Sequence, residues 1–193
     1  YGVRETQPSG YDSVLDSDGG DPDEILPVVV SAGVTNSGND FLEEQPGSIS
    51  GTVFVDTDDD GDADTTLGGV LIRLLDATGN PVLDGLGDPI TILTLPDGRY
   101  GFGGLSPGNY RVSQDQPSNY GSVSDTDGPN DNVIGNLVPV LVTSGNNNGG
   151  NDFIEIELGV INGYVGSDTD QNGSGETPLP GVIMNLLDDS GNP

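Results

Sequence analysis

Cysteine, lysine, histidine and tryptophan are all missing from this chain. Without cysteine no disulfide can staple the fold, and no thiolate can hold a metal or attack a substrate. Without lysine an internal lysine–asparagine isopeptide cross-link is chemically impossible. Without histidine the commonest general base is gone, and no serine has a base partner, so no catalytic set can be assembled and no enzyme is expected. Basic residues are nearly absent too: 4 arginines stand against 32 acidic residues, a formal net charge of -28. A surface that acidic repels nucleic acid and anionic lipid, so neither is an expected partner. There is no run of about 18 apolar residues, so no membrane insertion is expected, and no signal peptide is visible. The chain opens inside what reads as a strand, which marks it as a window cut from something longer.

What is present is patterned. Leu, Ile, Val and Phe account for 51 of 193 residues, above the roughly 20% below which chains stay disordered. They fall in short β-branched runs separated by Gly, Pro, Asn and Asp, the reading of an all-β chain. Strands are expected at about 48–55, 69–76, 90–95, 99–102, 109–114, 137–143 and 152–157. Ile49, Gly51, Val53 and Val55 alternate onto one face, as do Val70, Ile72 and Leu74. Seven short strands with turn signals between them argue for an Ig-like two-sheet β-sandwich. Tyr100, Phe102, Tyr110 and Tyr120 read as core packing rather than a sugar-stacking platform, and Arg4, Arg73, Arg99 and Arg111 as partners of local carboxylates.

The chain repeats itself. Residues 39–56, NDFLEEQPGSISGTVFVD, recur as NDFIEIELGVINGYVGSD at 151–168, an offset of 112, and GVLIRLLDATGNP at 69–81 recurs as GVIMNLLDDSGNP at 181–193. YGVRETQPSGYDSVLDSDGG at 1–20 corresponds to YRVSQDQPSNYGSVSDTDGP at 110–129, an offset of 109. A period near 112 residues is too long for a solenoid turn and suits a whole domain. The expected organisation is the C-terminal part of one repeat at 1–45, one complete repeat at 46–157 and the N-terminal part of the next at 158–193. Almost no linker separates them, so neighbouring repeats of the same chain are the expected partners and a stiff rod the expected form.

One constellation suits a metal ion. Asp56, Asp58, Asp60, Asp62 and Asp64 alternate around Gly61, and the same frame returns as Asp168, Asp170, Asn172, Ser174 and Glu176 around Gly173. Oxygens at loop positions 1, 3 and 5, a Gly at 6, a backbone carbonyl at 7 and an acid at 9 wrap a hard cation of high coordination number. Asp62 and Ser174 would supply the carbonyls. Five aspartates in nine residues would repel one another unless a divalent ion sat among them. A second pattern, Asp16 and Asp18 matched by Asp125 and Asp127, offers alternating carboxylates among turn residues.

Residues 96–112, PDGRYGFGGLSPGNYRV, resemble the signature of the collagen-adhesin B-type domains, D-G-x-Y-x-F-x-x-L-x-P-G-x-Y-x-V, followed by a P-x-x-Y turn at Pro117 to Tyr120. The acidic loop 56–64 and the Asp125-Thr126-Asp127 motif narrow the resemblance to the B repeats of SdrD-type surface adhesins. It implies a prealbumin-like sandwich, Ca2+ in the acidic loops, a contribution of the Asp125 and Asp127 motif to metal binding near the first loop, and a spacer or stalk role outside the cell or in a secreted matrix. The chain departs from the family at loop position 12, where Leu67 and Leu179 replace the usual Glu. A carbohydrate- or protein-binding module, or an appendage of a large secreted enzyme, are the rival functions. Other copies of the chain in a filament are a further expected partner.

Overall fold

The computed structural model describes residues 1–193 except Pro129. In chain order its strands are β1 (Val3–Arg4), β2 (Asp12–Asp16), β3 (Glu24–Ile25), β4 (Phe41–Glu44), β5 (Gly47–Asp56), β6 (Thr65–Thr66), β7 (Leu71–Asp76), β8 (Thr91–Leu93), β9 (Arg99–Leu105), β10 (Gly108–Gln114), β11 (Tyr120–Asp125), β12 (Val133–Ile134), β13 (Val140–Val142), β14 (Asn147–Asn148), β15 (Phe153–Glu157), β16 (Gly166–Ser167) and β17 (Thr177–Pro178). There is no helix among the described residues. The chain divides into two compact units, Tyr1–Leu158 and Gly159–Pro193.

In the first unit β5 organises a two-sheet sandwich. Its ten residues alternate so that Ile49, Gly51, Val53 and Val55 point inward, as the period-2 pattern requires. Along one side β5 pairs in parallel with β14 and then with β15, from Phe153 opposite Val53 to Ile156 opposite Asp56. Along the other side β9 pairs antiparallel with Gly47–Thr52, and β6 continues with Phe54 and Val55. β11 closes the edge against β15, giving six strands. The facing sheet has five, in the order β12, β10, β7, β8, with β13 also on β10. Between the sheets lie Ile49, Val53, Val70, Ile72, Leu74, Tyr100, Phe102, Leu105, Val112, Ile134, Val140, Val142 and Phe153. Each fully buried aliphatic or aromatic side chain contributes about 1.5–3 kcal/mol, and this set replaces the cross-links the composition forbids.

The seven expected strands are all present, with ends moved by a few residues. β11 was not anticipated, because Gly121, Ser122 and Ser124 break apolar alternation; it is an edge strand whose residues are half-buried. Tyr100 and Phe102 are core residues packed edge to face at 6.1 Å. Arg4, Arg73 and Arg99 pair with Glu24, Asp115 and Asp97. Arg111 departs from expectation and donates to Asn136 Oδ1 (2.7 Å) and the carbonyl of Ala77 (2.8 Å).

Pairings recur along with the sequence. Val3 opposite Ile25 in β1 and β3 matches Val112 opposite Ile134 in β10 and β12. β2 and β4 repeat β11 and β15 down to the bulge, between Ser13 and Leu15 in one and between Ser122 and Ser124 in the other. In the second unit β16 and β17 pair Gly166 with Pro178 as β5 and β6 pair Phe54 with Thr66. Val160, Ile161, Ile183, Met184 and Leu186 of that unit are exposed.

Candidate metal centre

The first acidic loop hangs from the end of β5. Asp56, the last residue of that strand, is fully buried, and its carboxylate organises the turn. Its Oδ1 accepts from the amides of Asp58 (3.3 Å), Asp59 (2.8 Å) and Asp60 (3.3 Å), and its Oδ2 from the amide of Gly61 (2.8 Å). Wrapping backbone so tightly around one carboxylate requires left-handed residues, and Asp59 (φ 61°) and Gly61 (φ 92°) supply them. The chain then returns to β5, where Asp64 donates its amide to Val55 (3.0 Å) and Leu67 donates to Val53 (2.8 Å). Leu67, at loop position 12, packs against the core.

Carboxylate oxygens of Asp56, Asp58 and Asp64 lie within 4.8 Å of one another. The Asp60 and Asp64 carboxylates, then burial, push the Asp58 carboxyl above its ordinary pKa. Asp64 is held below the ordinary value because the hydroxyl and the amide of Thr57 both donate to its Oδ2, at 2.6 and 2.7 Å. Asp60 is turned to the amide of Asp62 (2.9 Å) and stands outside the converging set, and the Asp62 side chain is exposed.

The second loop repeats this frame. Asp168 Oδ2 accepts from Gly173 (2.9 Å), Asn172 Oδ1 from Ser174 (2.8 Å), and Glu176 Oε2 from the amide of Thr169 (2.7 Å). Gln171 (φ 61°) and Gly173 (φ 87°) take the left-handed places. Asp168, Asp170 and Glu176 converge within 4.8 Å. The Gly173 amide holds Asp168 below its ordinary pKa, and the Thr169 amide does the same for Glu176. Asn172 caps Asp170 through its side-chain amide at 2.9 Å. Thr57 and Thr169 were not singled out from sequence; a hydroxyl at loop position 2 in both copies was the available signal.

The Asp125 and Asp127 pair forms a separate cluster. Asp125 faces Phe153, which faces Val53, three residues back along β5 from Asp56. Asp125 thus lies on β11, level with Val53 across β15. Asp125 is 8% exposed, and neither of its carboxylate oxygens has a partner among the described residues. Burial, with the adjacent Asp127, pushes its carboxyl up to about 7. Asp127 is anchored through Oδ2 by the amides of Gly135 (2.8 Å) and Leu137 (3.2 Å), while its Oδ1 is buried without a partner. Asp16 and Asp18 repeat the arrangement: Asp16 is buried with Oδ2 unpartnered, and Asp18 Oδ2 accepts from Leu26 as Asp127 does from Gly135.

Chemically, these clusters can hold a hard divalent cation. Carboxylates crowded this closely repel, and oxygen-only donors select Ca2+, Mg2+ or Mn2+ over softer metals. Unpartnered buried oxygens at Asp125 fit the same need, since each would otherwise carry an uncompensated desolvation cost.

Residues 47–153 match the family described as SdrD B-like domain. Serine-aspartate repeat-containing protein D of Staphylococcus aureus (strain Newman) is 27% identical over 205 residues, covering 98% of this chain and 15% of that protein. Serine-aspartate repeat-containing protein F of Staphylococcus epidermidis is 31% identical over 153 residues, covering 72% of this chain and 9% of that protein. The chain thus spans less than a sixth of the length of either. Among solved structures, GBS52, the minor pilin of Streptococcus agalactiae, is similar over 72% of this chain and 61% of its own, with 16% identity and a TM-score of 0.44.

Proposed function

This chain belongs to the SdrD B-like domain family, and we propose that it is a calcium-stabilised spacer from the stalk of a large extracellular or cell-surface protein, acting without catalysis of its own. The frame is the C-terminal part of one repeat at 1–45, one complete repeat at 46–157 and the N-terminal part of the next at 158–193. The observation that carries this reading is the duplication of the acidic loop. At an offset of 112 residues the same left-handed positions, the same amide-to-carboxylate bonds and the same convergence of three carboxylates recur.

Calcium suits these loops better than magnesium. Magnesium demands near-ideal octahedral geometry and gives up its water reluctantly, whereas calcium accepts 6–8 oxygens in a flexible cage that can include the carbonyls of Asp62 and Ser174. Asp56, Asp58 and Asp64, joined by Asp60 once its carboxylate turns from the Asp62 amide, hold one ion, and Asp168, Asp170, Asn172 and Glu176 hold another. Asp125 and Asp127, with Asp16 and Asp18, serve further ions. Leu67 at the twelfth position removes a bidentate ligand and points to the affinity of extracellular modules, about 0.1–1 mM. A charge of -28 opposes compaction by self-repulsion, and an ion bound only by the folded state counters it. At free calcium about 100 times the dissociation constant, each site adds about 2.7 kcal/mol.

The test is thermal unfolding in excess chelator and in millimolar calcium. A melting temperature that rises with calcium supports the reading, and equal melting temperatures overturn it.

A further inference from the structure

One polar network exists twice in this chain, buried in the complete sandwich and partly exposed in the first copy, with two residues changed between copies. In the complete sandwich Glu155 is fully buried on β15. Its Oε1 accepts from Gln114 Nε2 and from Ser122 Oγ (3.1 Å), and its Oε2 accepts from Gln116 Nε2. Gln114 also donates to Asn132 Oδ1 (2.7 Å). Amides and a hydroxyl supply every proton there.

At the matching positions of the first copy stand Glu43, Glu5, Gln7, Ser13 and Asp23. The correspondence is one of register: Ser13 opposite Glu43 repeats Ser122 opposite Glu155, and the Glu5 amide donates to the Asp23 carbonyl (3.0 Å) as Gln114 does to Asn132 (3.0 Å). Gln7 still donates to Glu43 Oε2, and Ser13 still donates to Gln7 and to Asp23. Two donors to the first oxygen have gone: the amide from position 5, and the hydroxyl of Ser13, which is turned to Gln7 and Asp23 instead of Glu43. Glu43 Oε1, the counterpart of the oxygen that Gln114 satisfies, is buried with no hydrogen-bond partner among the described residues.

We propose that Glu5 and Glu43 share one proton, forming a carboxylic acid–carboxylate pair that takes the place of the amide–carboxylate pair of Gln114 and Glu155. A glutamic acid presents an O–H where glutamine presents an N–H, on a side chain of nearly the same shape, so protonation restores the missing donor. The proton comes from solvent and stays between two carboxyl oxygens. Burial, then the charges of Glu43 and Asp23, hold the Glu5 carboxyl above its ordinary pKa. No cation is placed to neutralise the group: Arg4, the neighbour of Glu5, is turned to Glu24 (2.9 Å), and Arg73, Arg99 and Arg111 are engaged elsewhere. Nor do Glu5, Asp23 and Glu43 converge as the two acidic loops do; among the described residues only those loops bring three carboxylates within 4.8 Å.

The consequence is a pH response that differs between copies. A folded pKa raised above the unfolded value of about 4.3 gives stability that is full below that value and lost as pH rises through the folded pKa. The copy carrying Glu5 is therefore favoured by acid, and the copy carrying Gln114 lacks that dependence.

The experiment is a side-chain carboxyl titration of the whole chain by carbon NMR, in chelator and in millimolar calcium. The Glu5 carboxyl should take up its proton above the ordinary glutamate value of about 4.3, alike in both conditions. Ordinary independent titration of Glu5 and Glu43 overturns the proposal, as does a titration that calcium pulls down, which would place a metal between them. Glu5→Gln should remove the raised titration. In the complete sandwich Gln114→Glu should create it, so that melting temperature falls between pH 5 and pH 8. A variant that melts alike at both pH values, or that fails to fold even at pH 5, overturns it.

Discussion

Thr57 and Asp64 lock the first acidic loop: the amide and the hydroxyl of Thr57 both donate to the same carboxylate oxygen of Asp64, at 2.7 and 2.6 Å. Thr169 and Glu176 repeat the clamp at 2.7 and 3.2 Å, although the acid is one methylene longer. The clamp fixes loop position 9 through the chain's own hydrogen bonds, so a cation would meet a partly assembled cage instead of a flexible turn.

Replacing Thr57 by valine keeps the amide bond and deletes the hydroxyl one. Calcium affinity at the first loop should fall about threefold to tenfold, the usual worth of one hydrogen bond. Calorimetric titration of the whole chain checks this; unchanged affinity would mean the hydroxyl plays no part in ordering the loop.

Asp58 should show opposite effects with and without metal. Its carboxyl is raised by Asp60 and Asp64, so Asp58→Asn relieves repulsion and should raise the melting temperature in chelator. In calcium it removes a ligand and should lower it. A variant that shifts both in the same direction would argue against a cation at this position.

Asp76 controls part of the acid limb. The hydroxyl of Thr78 and the amide of Asn80 lower its pKa to about 2. A depressed folded pKa gives stability that is complete above the unfolded value of about 3.9 and lost as pH falls toward 2. NMR should place the Asp76 midpoint near 2, and Asp76→Asn should flatten acid unfolding in that window. A midpoint near 3.9 would contradict the turn geometry.

Phe153 is fully buried in the core of the sandwich, between Asp125 on β11 and Val53 on β5 in the six-stranded sheet. Phe153→Ala should cost about 3–5 kcal/mol by denaturant unfolding. Gly51→Ala should also destabilise, because its Cβ would stand 1.9 Å from the carbonyl of Asn151. An alanine tolerated at position 51 would require β5 and the 148–152 segment to separate.

Much of this protein is written locally. Alternation located β5, β7, β9, β10 and β15, since side chains of period 2 must choose a buried face. Gly61 and Gly173 marked the loop turns because a left-handed residue is needed after closely spaced oxygen-bearing side chains at loop positions 1, 3 and 5. The offsets of 112 and 109 residues carried over into identical pairings and an identical bulge. Tertiary structure alone decided what depends on distant partners. β5 serves four strands, and its parallel pairing with β15 brings together residues about a hundred positions apart. That pairing buries Asp56 while Asp58 stays exposed, though both read alike as loop acids. β11 is a strand only because β15 offers it an edge, and its register sets Asp125 opposite Phe153. The Oε1 of Glu43 is likewise left without a partner, where its counterpart on Glu155 meets Gln114 and Ser122. Local propensity comes from each residue's own sterics and hydration; burial and proton balance come from whichever groups the closed sheets press together.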